Sequence, residues 1–386
     1  MQTVHTKRGK SNVLSAVARL VGMVVVLASL VGFRTIPAQA AGGAPGAVYV
    51  MTNSPAGNAV LAFDRAANGA LTPAGSYATG GLGAPGLGSQ GAVVLTDNQR
   101  WLLAVNAGSD QISVFAVQPG GLKLADTEPS GGARPISLAT HGSLVYALNA
   151  GGAGNIAGFT LGADGQLWPL AGSAQPLSNG GIGAAPGPAQ VAFNSDGRTL
   201  VVTEKATNLI LTYSVGQNGA AAAPVTHASS GTTPFGFAFG LQGTLVVSEA
   251  FGGAPGASAA SSYALHGSSL QVVSASSPTH QTAACWVAVT NNGKYAYTTN
   301  AGSSSITGYA VDRDSRLNLL NADGQTGSTG AGSSATDVAL GQDSQFMFVL
   351  AGGSQQVVGF AVNADGSLTA LGQVAIPAGS AGIAAR

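Results

Sequence analysis

Between Pro188 and Val215 the chain reads PAQVAFNSDGRTLVVTEKATNLILTYSV. Apolar and polar positions alternate through Pro188–Phe193, an Asp-Gly turn follows, and a β-branched run ends at Glu204. A short polar turn then leads into a third β-rich run. Period-two alternation bounded by Gly, Asn and Asp is the mark of short antiparallel strands joined by tight turns. The same pattern recurs at Ala92–Val117, Ile136–Leu161, from Phe237, at Val287–Val311 and at Val338–Val362. Several copies run on into a turn and a fourth strand, as in ADGQLWPL, DSRLNLL and ADGSLTAL. No amphipathic helical stretch follows residue 40.

Four antiparallel strands repeated at a period of roughly fifty residues read as the blades of a β-propeller. The copy beginning at Val48 is incomplete, starting directly on its second strand, VYVMTN. The missing inner strand is available at the other end of the chain, in SAGIAAR (Ser380 to Arg386). Pairing the termini removes the exposed edges of an open array. The expected fold is therefore all-β: seven four-stranded blades in residues 41–386, the ring closed by the C-terminal strand joining the N-terminal blade.

Residues 1–40 stand apart. Lys7, Arg8 and Lys10 precede the apolar run Leu20 to Phe33, and Ala38-Gln39-Ala40 supplies a small-x-small cleavage signature. The run is shorter than the ~20 residues a spanning helix needs. The expectation is an exported protein, secreted or periplasmic, with no stable membrane insertion after cleavage. Cleavage removes five of the fifteen basic residues and none of the fifteen acidic ones, leaving a net charge near −5. That balance, without a basic cluster, argues against nucleic acid as a partner. The expected state is a monomer with a small-molecule ligand.

Composition supports the same picture. Glycine accounts for 58 residues and charged residues for only 8%, while hydrophobic residues reach 45%, too many for disorder. The single cysteine, Cys285, cannot form an internal disulfide and sits in the apolar strand AACWVAV, where a buried inert thiol is expected.

The meander fixes where chemistry can gather. In an antiparallel blade the start of the inner strand and the end of the second lie at the same end. Asn53, Asn106, Asn149, Glu204, Glu249 and Asn300 end second strands, and Arg134, Gln190, Phe235, Trp286 and Asp337 stand just ahead of inner strands. Glu204 and Glu249 are two of only three glutamates and hold equivalent positions in neighbouring blades. Facing one cavity they form a candidate acid–base pair, with Arg134 as ion partner or anion clamp. The alternative is that each caps its own turn, as expected for the asparagines. Gln190, Phe235, Trp286, Asn300 and Asp337 are candidate ligand contacts, Phe235 and Trp286 as a stacking wall or as inter-blade packing. The histidines have no metal-ligand spacing, no G-x-S-x-G elbow occurs, and the G-x-G-x-x-G matches at Gly81 and Gly86 lack a strand-to-helix context.

The N/SDG turns, the NAG strand ends and the D-G-x-L hairpins together resemble the seven-bladed propeller lactonases, which include 6-phosphogluconolactonase and carboxymuconate cyclase-like proteins. The resemblance spans nearly all of Ala47 to Arg386. It implies opening or closing of a lactone ring in the top cavity, with neither metal nor cofactor. In that family a Gly-Pro-Arg-His element leads one central inner strand and a Glu ends the next strand. Glu204 matches the Glu, but Ala189-Gln190 stands in place of Arg-His, and Gly91-Ala92 where a further inner-strand His is expected. Three functions follow: a diverged lactonase using Glu204, Glu249 and Arg134; a small-ligand binding module; or a scaffold docking a protein through Phe251 to Ser262. A pocket walled by Phe235 and Trp286, with both glutamates already hydrogen-bonded, favours the binding module.

Overall fold

The structure, a computed structural model, describes residues 45–386; the expected export segment and its expected cleavage site lie outside the described residues. Seven antiparallel sheets are formed by the described residues. They are numbered as blades 1 to 7 by their second strands, Gly46–Met51, Trp101–Asn106, Leu144–Asn149, Thr199–Glu204, Thr244–Glu249, Tyr295–Asn300 and Phe346–Ala351. In all but the first the strands follow chain order outward from the centre. Blade 4 is the organising repeat, with strands Pro188–Phe193, Thr199–Glu204, Leu209–Ser214 and Val225–Ala228. The outer strands of blades 3 and 6 are each split into two short pieces. The seven-bladed propeller expected from the repeat is the observed fold.

The innermost strand of blade 1 is Ala381–Ala385, which pairs antiparallel with Gly46–Met51 in the register Val48↔Ala385, Tyr49↔Ala384 and Val50↔Ile383. Ala47 N–H donates to Arg386 O at 3.1 Å and Arg386 N–H to Ala47 O at 2.9 Å. Two strand edges that would otherwise face solvent thus satisfy one another.

Most second strands are buried along their whole length, as in Trp101–Asn106, Thr199–Glu204 and Phe346–Ala351. Both faces of each blade pack on neighbours, which is why these strands read as continuous apolar runs. The outermost strands are largely exposed, as Leu368–Ala375 is. At the lower hairpins Gly197 and Gly293 take φ of +71° and +67°, a region glycine enters without a Cβ clash. There the Asp196 side chain accepts Arg198 N–H, so these turns are structural.

Candidate functional site

Inner strands of blades 3 to 7 each open with a β-bulge, between Pro135 and Ser137, Pro188 and Gln190, Pro234 and Phe237, Ala284 and Val287, and Ala335 and Asp337. A bulge breaks the strict in–out alternation and re-aims the first side chains of the strand. Hydroxyls on the second strands fix the bulged carbonyls of the next blade: Thr203 donates to Phe235 O, Ser248 to Cys285 O and Thr299 to Thr336 O.

These bulges surround a cavity of about 340 Å³ at the upper mouth of the channel. Phe235, Cys285, Trp286, Thr336 and Asp337 line it, together with the loop Gly86–Ser89 and the segment Gly379–Gly382. Phe235 and Trp286 form a tilted pair with ring centroids 4.6 Å apart. The roofing loop is held from two sides. Asn53 Nδ2 donates to Ala84 O at 2.7 Å and Asn53 Oδ1 accepts Ala84 N–H at 3.0 Å, while Arg134 Nη2 donates to Pro85 O at 2.9 Å.

Asp337 is the acid of this cavity. It is 3% exposed, its Oδ1 accepts Val338 N–H at 2.8 Å, and its buried Oδ2 has no hydrogen-bond partner. Burial pushes its carboxyl up to about 8, because desolvation penalises the charged form. The backbone amides of Val338 and Ile383 oppose that shift only in part. Burial likewise pushes the Cys285 thiol up to about 11, leaving it protonated and a poor nucleophile.

The glutamates behave otherwise. Both are fully buried, and neither borders the cavity. Glu204 Oε1 accepts Ser178 N–H at 3.0 Å, and Oε2 accepts the hydroxyls of Ser178 at 2.5 Å and Thr207 at 2.6 Å. Glu249 accepts Gly231 N–H at 2.8 Å, the Ser261 hydroxyl, and the Ser276 hydroxyl at 2.5 Å. They have no hydrogen-bond partner in common, so the expectation of one shared cavity is corrected. The asparagines do the same work. Asn106 accepts Asn58 Nδ2 and Thr79 Oγ1, and Asn149 accepts Ser130 Oγ and donates to Ser130 O. Each of these residues anchors the connector arriving from the preceding blade, so the expectation that the asparagines cap only their own turns is also corrected. Asn300 Nδ2 donates to Ser305 and Thr307 inside blade 6, away from the cavity. Gln190 is tied to the blade 5 backbone, its Nε2 donating to Phe237 O at 2.9 Å and its Oε1 accepting Phe237 N–H at 2.7 Å. It lines the channel below.

Of the residues singled out by sequence, then, Phe235, Trp286 and Asp337 meet in one cavity, and Arg134 braces its roof. The family model for the lactonase 7-bladed β-propeller matches residues 47–175 and 259–382. The chain belongs to this family. The matched residues omit 176–258, the stretch carrying Gln190, Glu204, Phe235 and Glu249. Solved structures agree on the fold. A Bacteroides fragilis protein proposed to be a 6-phosphogluconolactonase superposes with a TM-score of 0.68 at 18% identity, covering 88% of this chain and 98% of its own. The periplasmic gluconolactonase of Pseudomonas aeruginosa gives 0.65 at 17%, covering 86% and 97%. A Lactobacillus plantarum protein gives 0.68 at 18%, covering 88% and 99%. None of the curated proteins matches the chain.

This member of the lactonase family also has a site residue that the repeat pattern hid. Lys205, directly after Glu204, carries its ammonium 4.6 Å from the centroid of the Phe235 ring and donates to Gly88 O at 3.3 Å. Burial lowers its pKa, while the neighbouring Cys285 opposes the shift. Its signal in the sequence was adjacency to a strand end, which side-chain reach then carried to the mouth. Among the described residues no cluster of three or more His, Cys, Asp or Glu is placed to hold a metal ion.

Proposed function

We propose that the chain is an exported lactonase-type propeller that takes a small uncharged lactone in its upper cavity, with Asp337 as the acid–base group. The observation that carries this reading is the buried Asp337 carboxyl, with one oxygen unpartnered, on an otherwise mostly apolar and backbone wall. Among the described residues, Asp337 and the protonated Cys285 thiol are the ionisable side chains that line the cavity. A phosphorylated or dianionic substrate would meet no arginine or histidine there, and an uncharged ring suits the Phe235–Trp286 pair.

Ring opening in this geometry proceeds by attack of water on the acyl carbon. The Asp337 carboxylate accepts the water proton, the bond from the acyl carbon to the ring oxygen breaks, and the proton passes to that oxygen. One water is consumed and one hydroxy acid is formed. Lys205 places a positive charge at the mouth, where the new carboxylate leaves. Because the base form is required, kcat/KM rises with pH through about 8.

A second reading is a ligand-binding propeller without turnover. It is favoured by the complete hydrogen bonding of Glu204 and Glu249 and by the aromatic wall. Both readings are tested by assaying sugar-derived and aromatic-acid-derived lactones with the wild type and Asp337→Asn, measuring turnover and binding together. Turnover that falls at least ~100-fold in the variant with binding retained supports the lactonase. Binding without turnover in either protein supports the second reading. A wild type that neither binds nor turns over any member refutes both.

A further inference from the structure

A second space of about 350 Å³ lies directly below the upper cavity, lined by the inner strands of blades 1, 2, 3, 4 and 7. Consecutive residues divide between the two: Ser89 above and Gln90 below, Asp337 above and Val338 below, Gly382 above and Ile383 below. At this level the Gln90 side chain crosses the channel from blade 2 to blade 6. Its Nε2 donates to Val287 O at 2.7 Å and its Oε1 accepts Val287 N–H at 3.1 Å. The carboxamide thus occupies both hydrogen-bonding groups of a residue 197 positions away.

The surrounding residues are built to admit it. Gly236 sits where a Cβ would lie 2.6 Å from Gln90 Oε1 and 2.6 Å from the Trp286 ring, so a glycine is needed for both to approach. Ser137 Oγ donates to Gln90 O at 2.5 Å and accepts Val191 N–H at 3.1 Å. Gln190 continues the chain of bonds to Phe237. The bonds therefore run through blades 2 to 6, holding the crossing side chain in one position. A carboxamide bonded through both its nitrogen and its oxygen in a low-dielectric channel is costly to displace, because moving it strands two backbone groups.

We infer that Gln90 is the floor of the ligand cavity and sets the length of molecule that the propeller accepts. This rests on the reading of the upper cavity as the ligand site. With Gln90 in place, a ligand ends at the Trp286–Gln90 level. Without it, the upper cavity opens onto the lower space, and a ligand with an apolar tail can extend along Val191, Val338 and Ile383.

Two measurements test this on the whole protein. Binding of γ-lactones with alkyl tails of increasing length is measured by calorimetry for the wild type, Gln90→Ala and Gln90→Asn, the last too short to reach Val287. Affinity for γ-butyrolactone in each protein is the reference against which the effect of the tail is read. γ-Dodecalactone is expected to gain at least ~10-fold over the wild type from its additional buried methylenes. An identical chain-length profile in all three proteins overturns the inference. Crystal structures of the same proteins decide the floor without reference to lactones. Ordered water is expected to break at Gln90 in the wild type and to run through in the variants. A continuous file of water past Gln90 in the wild type, or a break that persists in both variants, overturns the inference. If no lactone binds any of the proteins, the site reading fails and the crystallographic result still decides the floor.

Discussion

Replacing Asp337 by Asn tests the electrostatics of the cavity in a way that needs no substrate. The carboxyl titrates near 3.8 when exposed and is pushed up to about 8 in the folded protein. Between those values the folded chain holds a proton that the unfolded chain has released. Stability from this group is therefore fully present below about pH 4 and is lost as pH rises through about 8. The slope is about 1.4 kcal/mol per pH unit for one proton. Asn keeps the shape, can still accept Val338 N–H, and does not titrate. Urea unfolding of both proteins at pH 5, 6 and 7 should show the variant gaining on the wild type by about 3 kcal/mol in total across that range. The quantity to read is the change in the difference with pH, since the absolute offset includes the cost of placing an amide where Oδ2 has no partner. A difference that stays constant from pH 5 to 7 would refute the reasoning, because it would mean that Asp337 ionises as an exposed carboxylate does.

Glu204→Ala should cost about 2–4 kcal/mol in urea unfolding, because it leaves Ser178 N–H and the Ser178 and Thr207 hydroxyls without their acceptor. The folded variant should bind lactone as the wild type does, and a selective loss of binding with unchanged stability would count against an anchoring role. Phe235→Ala should weaken ligand binding by about 1–3 kcal/mol in calorimetry, through loss of both the aromatic pair and the surface on which Lys205 rests. Unaltered affinity would place the ligand elsewhere. Removing residues 381–386 should lower Tm sharply and expose the amides of Ala47 and Tyr49 to hydrogen exchange, since their partners Arg386 and Ala384 are lost while the alternate amides keep theirs on Ala59–Arg65. Retained protection of Ala47 and Tyr49 would contradict closure through this strand.

Much of the architecture follows from local pattern. Alternation, Asp-Gly and Asn-Gly turns and the recurring unit are short-range signals, so strand number, blade number and the pairing of Ser380–Arg386 with the first blade were all legible. The same topology placed Glu204 opposite Pro188 and Glu249 opposite Pro234 at one end of their blades. What it did not carry was side-chain direction. A strand-end residue can turn toward the channel or toward the incoming connector, and Ser178 and Gly231, each 26 or fewer positions away, draw the glutamates to the connector. Conversely, the bulge before Asp337 turns an ordinary strand-start acid into the one carboxyl of the cavity. Lys205 reaches Phe235 across a blade boundary, and Gln90 meets Val287 across the whole channel. Local sequence thus determined the ring, because blade formation depends on neighbours in the chain. Only the closed tertiary structure decided the site, because its lining residues come from five blades and meet solely where the ring brings its inner strands together.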